Sequence, residues 1–310
     1  MKLSLICPCY NEGKNIEAFY NTCVEVLEPK LAGDYEFVFI NDGSRDDTWQ
    51  KLLSIYERSE LSLKLVNFSR NFGKEAAMYA GLCRCEGEYT VLIDTDLQQR
   101  PETVLEMVEF LDNNPEYDCV AAYQQTRSES RFISSCKSLF YKLINRMCEI
   151  DFHEGASDFR TFRRGVVDAI LSITECHRFT KGIFSWVGFN TYYIPYKASD
   201  RHAGESTWSF MKLVKYAISG IVSFSTFPLK LASLVGSVMA FLSLGYMIFV
   251  IIQKLVWGIA VAGYATIIVL TLLIGGIQLL CLGILGEYIS RIYIQGKHRP
   301  ICVVKEYKKK

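Results

Sequence analysis

The chain has 310 residues, half of them hydrophobic, with 34 basic against 33 acidic side chains and a formal net charge of +1. So even a balance leaves no basic footprint for a nucleic-acid partner, and none is expected. Eleven cysteines would suit the disulfide framework of a small secreted chain, but these lie mostly in apolar runs, around Cys119, Cys281 and Cys302 for example; they are expected to be buried free thiols in a reducing compartment.

Taken in chain order, Met1 to Pro8 is a short apolar run followed at once by turn residues, which reads as a first strand and not as a signal peptide. Strand-length apolar runs recur at Leu3 to Cys9, Tyr35 to Asn41, Leu63 to Phe68, Tyr89 to Asp94 and Asp118 to Tyr123. Segments such as Asn15 to Leu27 and Asp47 to Tyr56, with apolar residues three and four apart, lie between them as predicted helices. Strands alternating with helices predict an α/β fold with a mostly parallel sheet covered on both faces. Ligands of such sheets sit outside the carboxyl ends of the strands, where Tyr10-Asn11-Glu12, Asn41-Asp42-Gly43-Ser44 and Asp94-Thr95-Asp96 all fall.

Beyond Tyr123, Arg131 to Cys148 and Thr207 to Ser225 combine apolar and basic residues in amphipathic patterns. Such helices lie in a membrane interface or pack on the sheet. Two uncharged segments follow, Leu231 to Ile252 and roughly Ala265 to Gly286, each long enough to span a bilayer, for which ~20 apolar residues suffice. Lysines 212, 215 and 230 precede the first segment, basic residues from Arg291 onward follow the second, and Lys254 is the one charge between them. The positive-inside rule places both termini and the soluble domain in the cytoplasm of a multi-pass cell-membrane protein. The expected divisions are a soluble domain 1–206, an interfacial helix 207–228, a transmembrane hairpin 229–290 and a basic tail 291–310. Small residues in the spans, including Gly236, Ala240, Gly275 and Gly283, permit close helix approach within the hairpin or in a homo-oligomer.

Asp94-Thr95-Asp96 places two carboxylates on one turn, where they can share Mg²⁺ or Mn²⁺ with a diphosphate, and Gln98 can add an amide oxygen. Asp42 stands where a carboxylate can meet a nucleotide's base or ribose. Pro8, Tyr10 and Glu12 end the first run with an aromatic face and an acid. Arg70 and Lys74 end the third ahead of a helix, which suits an anionic ligand. A soluble phosphorylated donor brought to a lipid is the chemistry this combination suggests.

Pro8-Cys9-Tyr10-Asn11-Glu12, Asn41-Asp42-Gly43-Ser44, Ser69 to Glu75, Asp94-Thr95-Asp96-Leu97-Gln98, Ser157-Asp158-Phe159-Arg160 and Arg201-His202-Ala203-Gly204-Glu205-Ser206, in that order, resemble the family 2 glycosyltransferases. Within them, the similarity is to the polyprenyl-phosphate sugar transferases and spans nearly the whole chain. The resemblance implies a GT-A type nucleotide-sugar fold and inverting transfer. It also implies a donor held by Asp42, Asp94 and the Pro8 to Glu12 strand end, and a metal held by Asp94, Asp96 and Gln98. Two departures from the pattern stand out: Gln99-Arg100 stands where related sequences often read Asp-Pro, and Thr207 where lysine is common.

A polyprenyl phosphate attacks through an oxygen that is already anionic, so positioning and charge management outweigh general-base catalysis. Arg127, Arg131 and Arg201 are the candidate cations for the acceptor phosphate, with Arg201 the best match to the pattern. Asp96, Asp158 and Arg201 are the candidate catalytic residues; for Asp158 a structural pairing with Arg160, orientation of sugar hydroxyls and a role as base all stay open. UDP-glucose is the first-choice donor, with UDP-N-acetylglucosamine, UDP-galactose and GDP-mannose as alternatives. A processive synthase would carry Gln-x-x-Arg-Trp and a nicotinamide dehydrogenase G-x-G-x-x-G; neither is present. A non-catalytic scaffold would show a broken metal motif, and Asp94, Asp96 and Gln98 are intact.

Overall fold

The computed structural model describes residues 1–124, 145–148, 155–196, 220–257 and 263–310. The soluble part runs β1 (Leu3–Cys9), α1 (Ile16–Leu31), β2 (Tyr35–Asn41), α2 (Thr48–Arg58), β3 (Ser62–Phe68), α3 (Lys74–Leu82), β4 (Tyr89–Leu92), α4 (Pro101–Asn113) and β5 (Cys119–Gln124). It continues with β6 (Ala156–Arg163), α5 (Arg164–Ser172), α6 (Thr180–Trp186) and β7 (Thr191–Tyr196). Two long helices, α7 (Phe227–Trp257) and α8 (Tyr264–Gly296), come next, and β8 (Val304–Lys309) closes the list.

The eight strands form one sheet in the order β7-β5-β6-β4-β1-β2-β3-β8. Strands β4, β1, β2 and β3 are parallel neighbours, so their carboxyl ends share one edge. Strand β6 is antiparallel to both β4 and β5. Alternation along each strand divides the core: Leu3, Leu5 and Cys7 face a cluster with Phe19, Cys23, Leu52, Val104 and Met107, whereas Ile6, Val38 and Val66 face Ala76, Ala77, Ala80, Val167 and Ile183. Helices α1, α2 and α4 therefore cover one face and α3, α5 and α6 the other, as the α/β reading expected. The alanines of α3 bring it close to the sheet; a Cβ on its Gly81 would lie 2.3 Å from Ile6 Cγ2. Each large apolar side chain so buried contributes roughly 1.5–3 kcal/mol.

At the edge of the sheet away from the strand ends, the carboxylate of Glu36 accepts from Ser4 Oγ at 2.6 Å and pairs with the Lys64 ammonium at 2.7 Å. Lys64 also meets Glu86 at 3.0 Å. Two fully buried charges persist because each is paired and hydrogen-bonded. The segment expected to be a basic tail supplies strand β8, antiparallel to β3, and its Lys309 meets Glu86 at 2.6 Å. A run of lysines hid this strand, since edge strands carry charge to deter further pairing.

Phe227–Gln253 and Val269–Gly296, within α7 and α8, are long and apolar enough to cross a membrane, each with mean hydropathy 2.3. At 33 residues, α8 is roughly 50 Å long at 1.5 Å per residue, well beyond a ~30 Å hydrocarbon core. Its last turns dock on the soluble part: the Gln295 side chain accepts from Cys176 N–H at 2.8 Å and donates to the Thr174 carbonyl at 3.2 Å. Tyr288 donates to the Ser225 carbonyl at 2.7 Å. Among the described cysteines none is in a disulfide; Cys7, Cys9, Cys23, Cys85, Cys119 and Cys148 are buried, and Cys83 is exposed.

Candidate active site

The loops after β1, β2, β3 and β4 are laced together in sequence. Asn11, at φ +56°, donates its N–H to Ser44 Oγ and accepts from Arg45 N–H through its side chain, both at 2.9 Å. Asparagine tolerates this left-handed backbone better than most residues. Asp42, 3% exposed, accepts from the N–H groups of Phe72 at 2.6 Å and Gly73 at 2.9 Å. Burial pushes its carboxyl up and the two donors pull the other way, leaving it raised. Gly43, at φ +64°, brings the two loops so close that a Cβ there would sit 2.4 Å from the Arg70 carbonyl carbon.

Lys74, the first residue of α3, links the third strand end to the fourth. Its ammonium lies 2.7 Å from Asp94 Oδ1, 2.9 Å from Asp94 Oδ2 and 3.2 Å from Asp158 Oδ2 on β6. Burial opposes the charge on Lys74, but Asp94 and then Asp158 outweigh it and its pKa is raised. Burial would likewise raise Asp158, yet Lys74 and Lys181 hold it below the usual carboxylate range. The partner of Asp158 is thus Lys74; Arg160 sits over the Phe184 ring at 4.9 Å and donates to the Ser157 carbonyl.

Beyond Leu92, Asp94 to Gln98 form a tight turn. Leu97 takes φ +62°, a conformation costing roughly 1–2 kcal/mol for a residue with a Cβ. Its side chain packs against the core, while Asp96 Oδ1 accepts from Gln98 N–H at 3.1 Å. Gln99, 5% exposed, touches Asp94 twice: its Oε1 accepts from Asp94 N–H at 2.9 Å and its Nε2 donates to Asp94 Oδ2 at 3.1 Å.

The remaining expected residues stand around this centre. Pro8 lies within β1 opposite Ile40, Tyr10 is exposed beside it, and Glu12 accepts from the Asn15 side chain at 2.7 Å. The Arg70 guanidinium covers the Phe72 ring at 4.7 Å. Arg127, Arg131 and Arg201 lie outside the described residues, as does most of both expected amphipathic helices.

Three residues of this centre escaped the sequence reading. Tyr196 ends β7 and packs edge-on against Phe159 at 5.9 Å. Burial raises its phenol, a hydrogen bond with Ser157 opposes this, and the charges of Asp94 and Asp96 add to the rise. Glu75 accepts from Thr180 N–H at 2.8 Å, and burial followed by the charge of Asp158 pushes its carboxyl up to about 8. Gln99 is the third. The aromatic run Thr191 to Tyr196 was a signal for the first; Glu75 lay within the Ser69 to Glu75 motif and Gln99 was noted only as a departure from the pattern, so neither was given a role.

The donor set suits a hard divalent cation. Asp94 and Asp96 supply carboxylate oxygens on one turn, and among the described residues no group of three or more His, Cys, Asp or Glu converges to cage an ion. Two carboxylates, with water and substrate phosphate completing the shell, is the arrangement such ions commonly take beside a diphosphate.

Residues 4–171 match glycosyl transferase family 2, and residues 227–292 match the GtrB C-terminal hairpin. The bactoprenol glucosyl transferase of Shigella phage SfV is 40% identical over 311 residues, covering 100% of both chains. The prophage bactoprenol glucosyl transferase homolog of Escherichia coli K12 is 39% identical over 310 residues, again covering 100% of both. The putative glycosyltransferase CsbB of Bacillus subtilis is 40% identical over 98% of this chain and 91% of its own. A looser likeness is the solved structure of S. aureus TarS 1–349 with UDP, 19% identical over 72% of this chain and 66% of that one, with a TM-score of 0.47. The chain belongs to glycosyl transferase family 2.

Proposed function

We propose that this glycosyltransferase moves one glucose from UDP-glucose to a polyprenyl phosphate of the undecaprenyl type, with inversion, at the cytoplasmic face of the membrane. The observation that carries this reading is end-to-end correspondence, soluble domain and hairpin alike, with relatives named bactoprenol glucosyl transferase. A polyprenyl phosphate oxygen attacks the anomeric carbon, the bond from that carbon to the diphosphate breaks, and its electron pair leaves with the nucleoside diphosphate. The nucleophile is anionic before it arrives, so no side chain need remove a proton.

The chain's own residues then hold two anions in line and receive the leaving charge. Asp94 and Asp96, with Gln98, would hold Mg²⁺ or Mn²⁺, which supplies charge neutralisation for the departing diphosphate. Lys74 stands beside the same carboxylate as a second cation. Asp42 fixes the Phe72-Gly73 backbone against the second strand end, which shapes the floor on which a nucleotide rests. Asp158, held ionised by Lys74, faces the donor sugar, and Arg127, Arg131 and Arg201 receive the acceptor phosphate.

The test is incubation of purified full-length protein with undecaprenyl phosphate, Mg²⁺ or Mn²⁺ and a panel of labelled nucleotide sugars. Label from UDP-glucose is expected in the lipid phase, and not when Asp94→Asn replaces the wild type. Asp158→Asn is expected to bind donor normally while turnover falls at least tenfold. Transfer from another donor alone would correct the sugar, and no lipid-linked product from any donor would overturn the reading.

A further inference from the structure

Gln99 is a buried polar side chain whose amide oxygen and amide nitrogen both hydrogen-bond to the same residue, Asp94. The backbone N–H of Asp94 can only donate, so the amide end facing it at 2.9 Å is the oxygen, and the end facing the Asp94 carboxylate at 3.1 Å is therefore the NH₂. Main chain and carboxylate of Asp94 are held by a single rigid amide plane. Lys74 grips the same carboxylate at 2.7 Å from above the turn. A mobile ammonium gives charge without direction, whereas a planar amide anchored to the backbone fixes a torsion.

We infer that Gln99 is a positioning residue: it sets the rotamer of Asp94 so that a carboxylate oxygen is presented to the cation and diphosphate whether or not Lys74 is in place. The inference rests on the proposed donor site. It also gives position 99 a role that an acid could not fill, because a carboxylate there would turn an acceptor toward Asp94 Oδ2 in place of the donor. Losing an outer partner of a metal-binding carboxylate typically costs 10–100-fold in metal affinity or activity.

The experiment compares wild type, Gln99→Met and Gln99→Glu as full-length detergent-solubilised proteins. Gln99→Met keeps the length and removes both hydrogen bonds; Gln99→Glu keeps the acceptor for Asp94 N–H and removes the donor to the carboxylate. Free Mn²⁺ is followed by electron paramagnetic resonance in a titration with UDP present, beside kcat, KM for donor and KM for undecaprenyl phosphate. For Gln99→Met the expected result is about tenfold weaker Mn²⁺ binding and about tenfold lower kcat, with KM for the lipid unchanged and a melting temperature near that of wild type. For Gln99→Glu, kcat falls by a similar factor with the fold intact. If the folded Gln99→Met protein binds Mn²⁺ as wild type does and keeps kcat within twofold, the inference is overturned. Should Gln99→Met not fold, a wild-type kcat for Gln99→Glu overturns it. Wild type that binds no Mn²⁺ with UDP removes the donor-site reading itself, and the inference with it; a loss confined to the variants upholds both.

Discussion

Glu75 lies next to Lys74 in the chain yet faces the other way, accepting from the first N–H of α6. Burial, with the charge of Asp158 added, raises its carboxyl to about 8 from an ordinary value of 4.5. A group whose folded pKa exceeds its unfolded one favours the folded state most when protonated. Its contribution is complete below about 4.5 and is lost as pH climbs through about 8. Between pH 6 and pH 8.5 the melting temperature of wild type should therefore fall relative to that of Glu75→Gln, which keeps an acceptor for Thr180 N–H and cannot ionise. Parallel melting curves for the two proteins across that range would show that Glu75 stays charged throughout. The neighbouring triad behaves oppositely. Asp158 is held low by Lys74, whereas Glu75, one residue along the chain from that ammonium, is raised by burial and by the charge of Asp158.

At the scale of elements, the strands that position the site were legible because they are buried on both faces. Leu3–Cys9 and Tyr35–Asn41 fall where the apolar runs lie, and their polar ends meet as the carboxyl-end rule expects. The fourth strand stops at Leu92, two residues short of its apolar run, because the Asp94 to Gln98 turn needs its backbone for the contacts of Gln99 and Asp96. Strands β6 and β7 were not read from the sequence: β6 mixes Ser, Asp, Arg and Thr with its two Phe, β7 is short and contains Pro195, and their pairing is set by tertiary partners more than by their own pattern. Strand β8 was hidden by its lysines. It can be tested directly, since ending the chain at Pro300 strips the ladder on β3 and the Lys309 contact with Glu86. Loss of about 2 kcal/mol would lower the melting temperature by roughly 4–8 °C in a domain of this size. An unchanged melting temperature would mean the strand adds nothing to the sheet.

For the whole molecule, the question is how the sheet is joined to the two long apolar helices. The two long helices were readable from hydropathy alone, but their docking was not. Near the end of α8, Gln295 joins the helix to the segment between α5 and α6, while Tyr288 and Arg291 tie it to the residues just before α7; Arg291 donates to Ser223 Oγ at 2.6 Å. A continuous helix docked at its end transmits position rigidly, as a flexible linker cannot. The proposed orientation, argued from the charge pattern around the spans, has the ends of the hairpin in the cytoplasm. Alkaline phosphatase fused after Val256 should be active in intact cells, and inactive when fused after Lys310, where green fluorescent protein should fluoresce. The reverse pattern would invert the orientation.

Because β8 follows both apolar helices in the chain, the sheet remains one strand short throughout translation of the hairpin. The flank of β3 can be sealed only after α7 and α8 have been made. Completion of the sheet therefore belongs to the last stage of synthesis, and until β8 pairs, the flank of β3 is an open edge that chaperones and proteases can recognise.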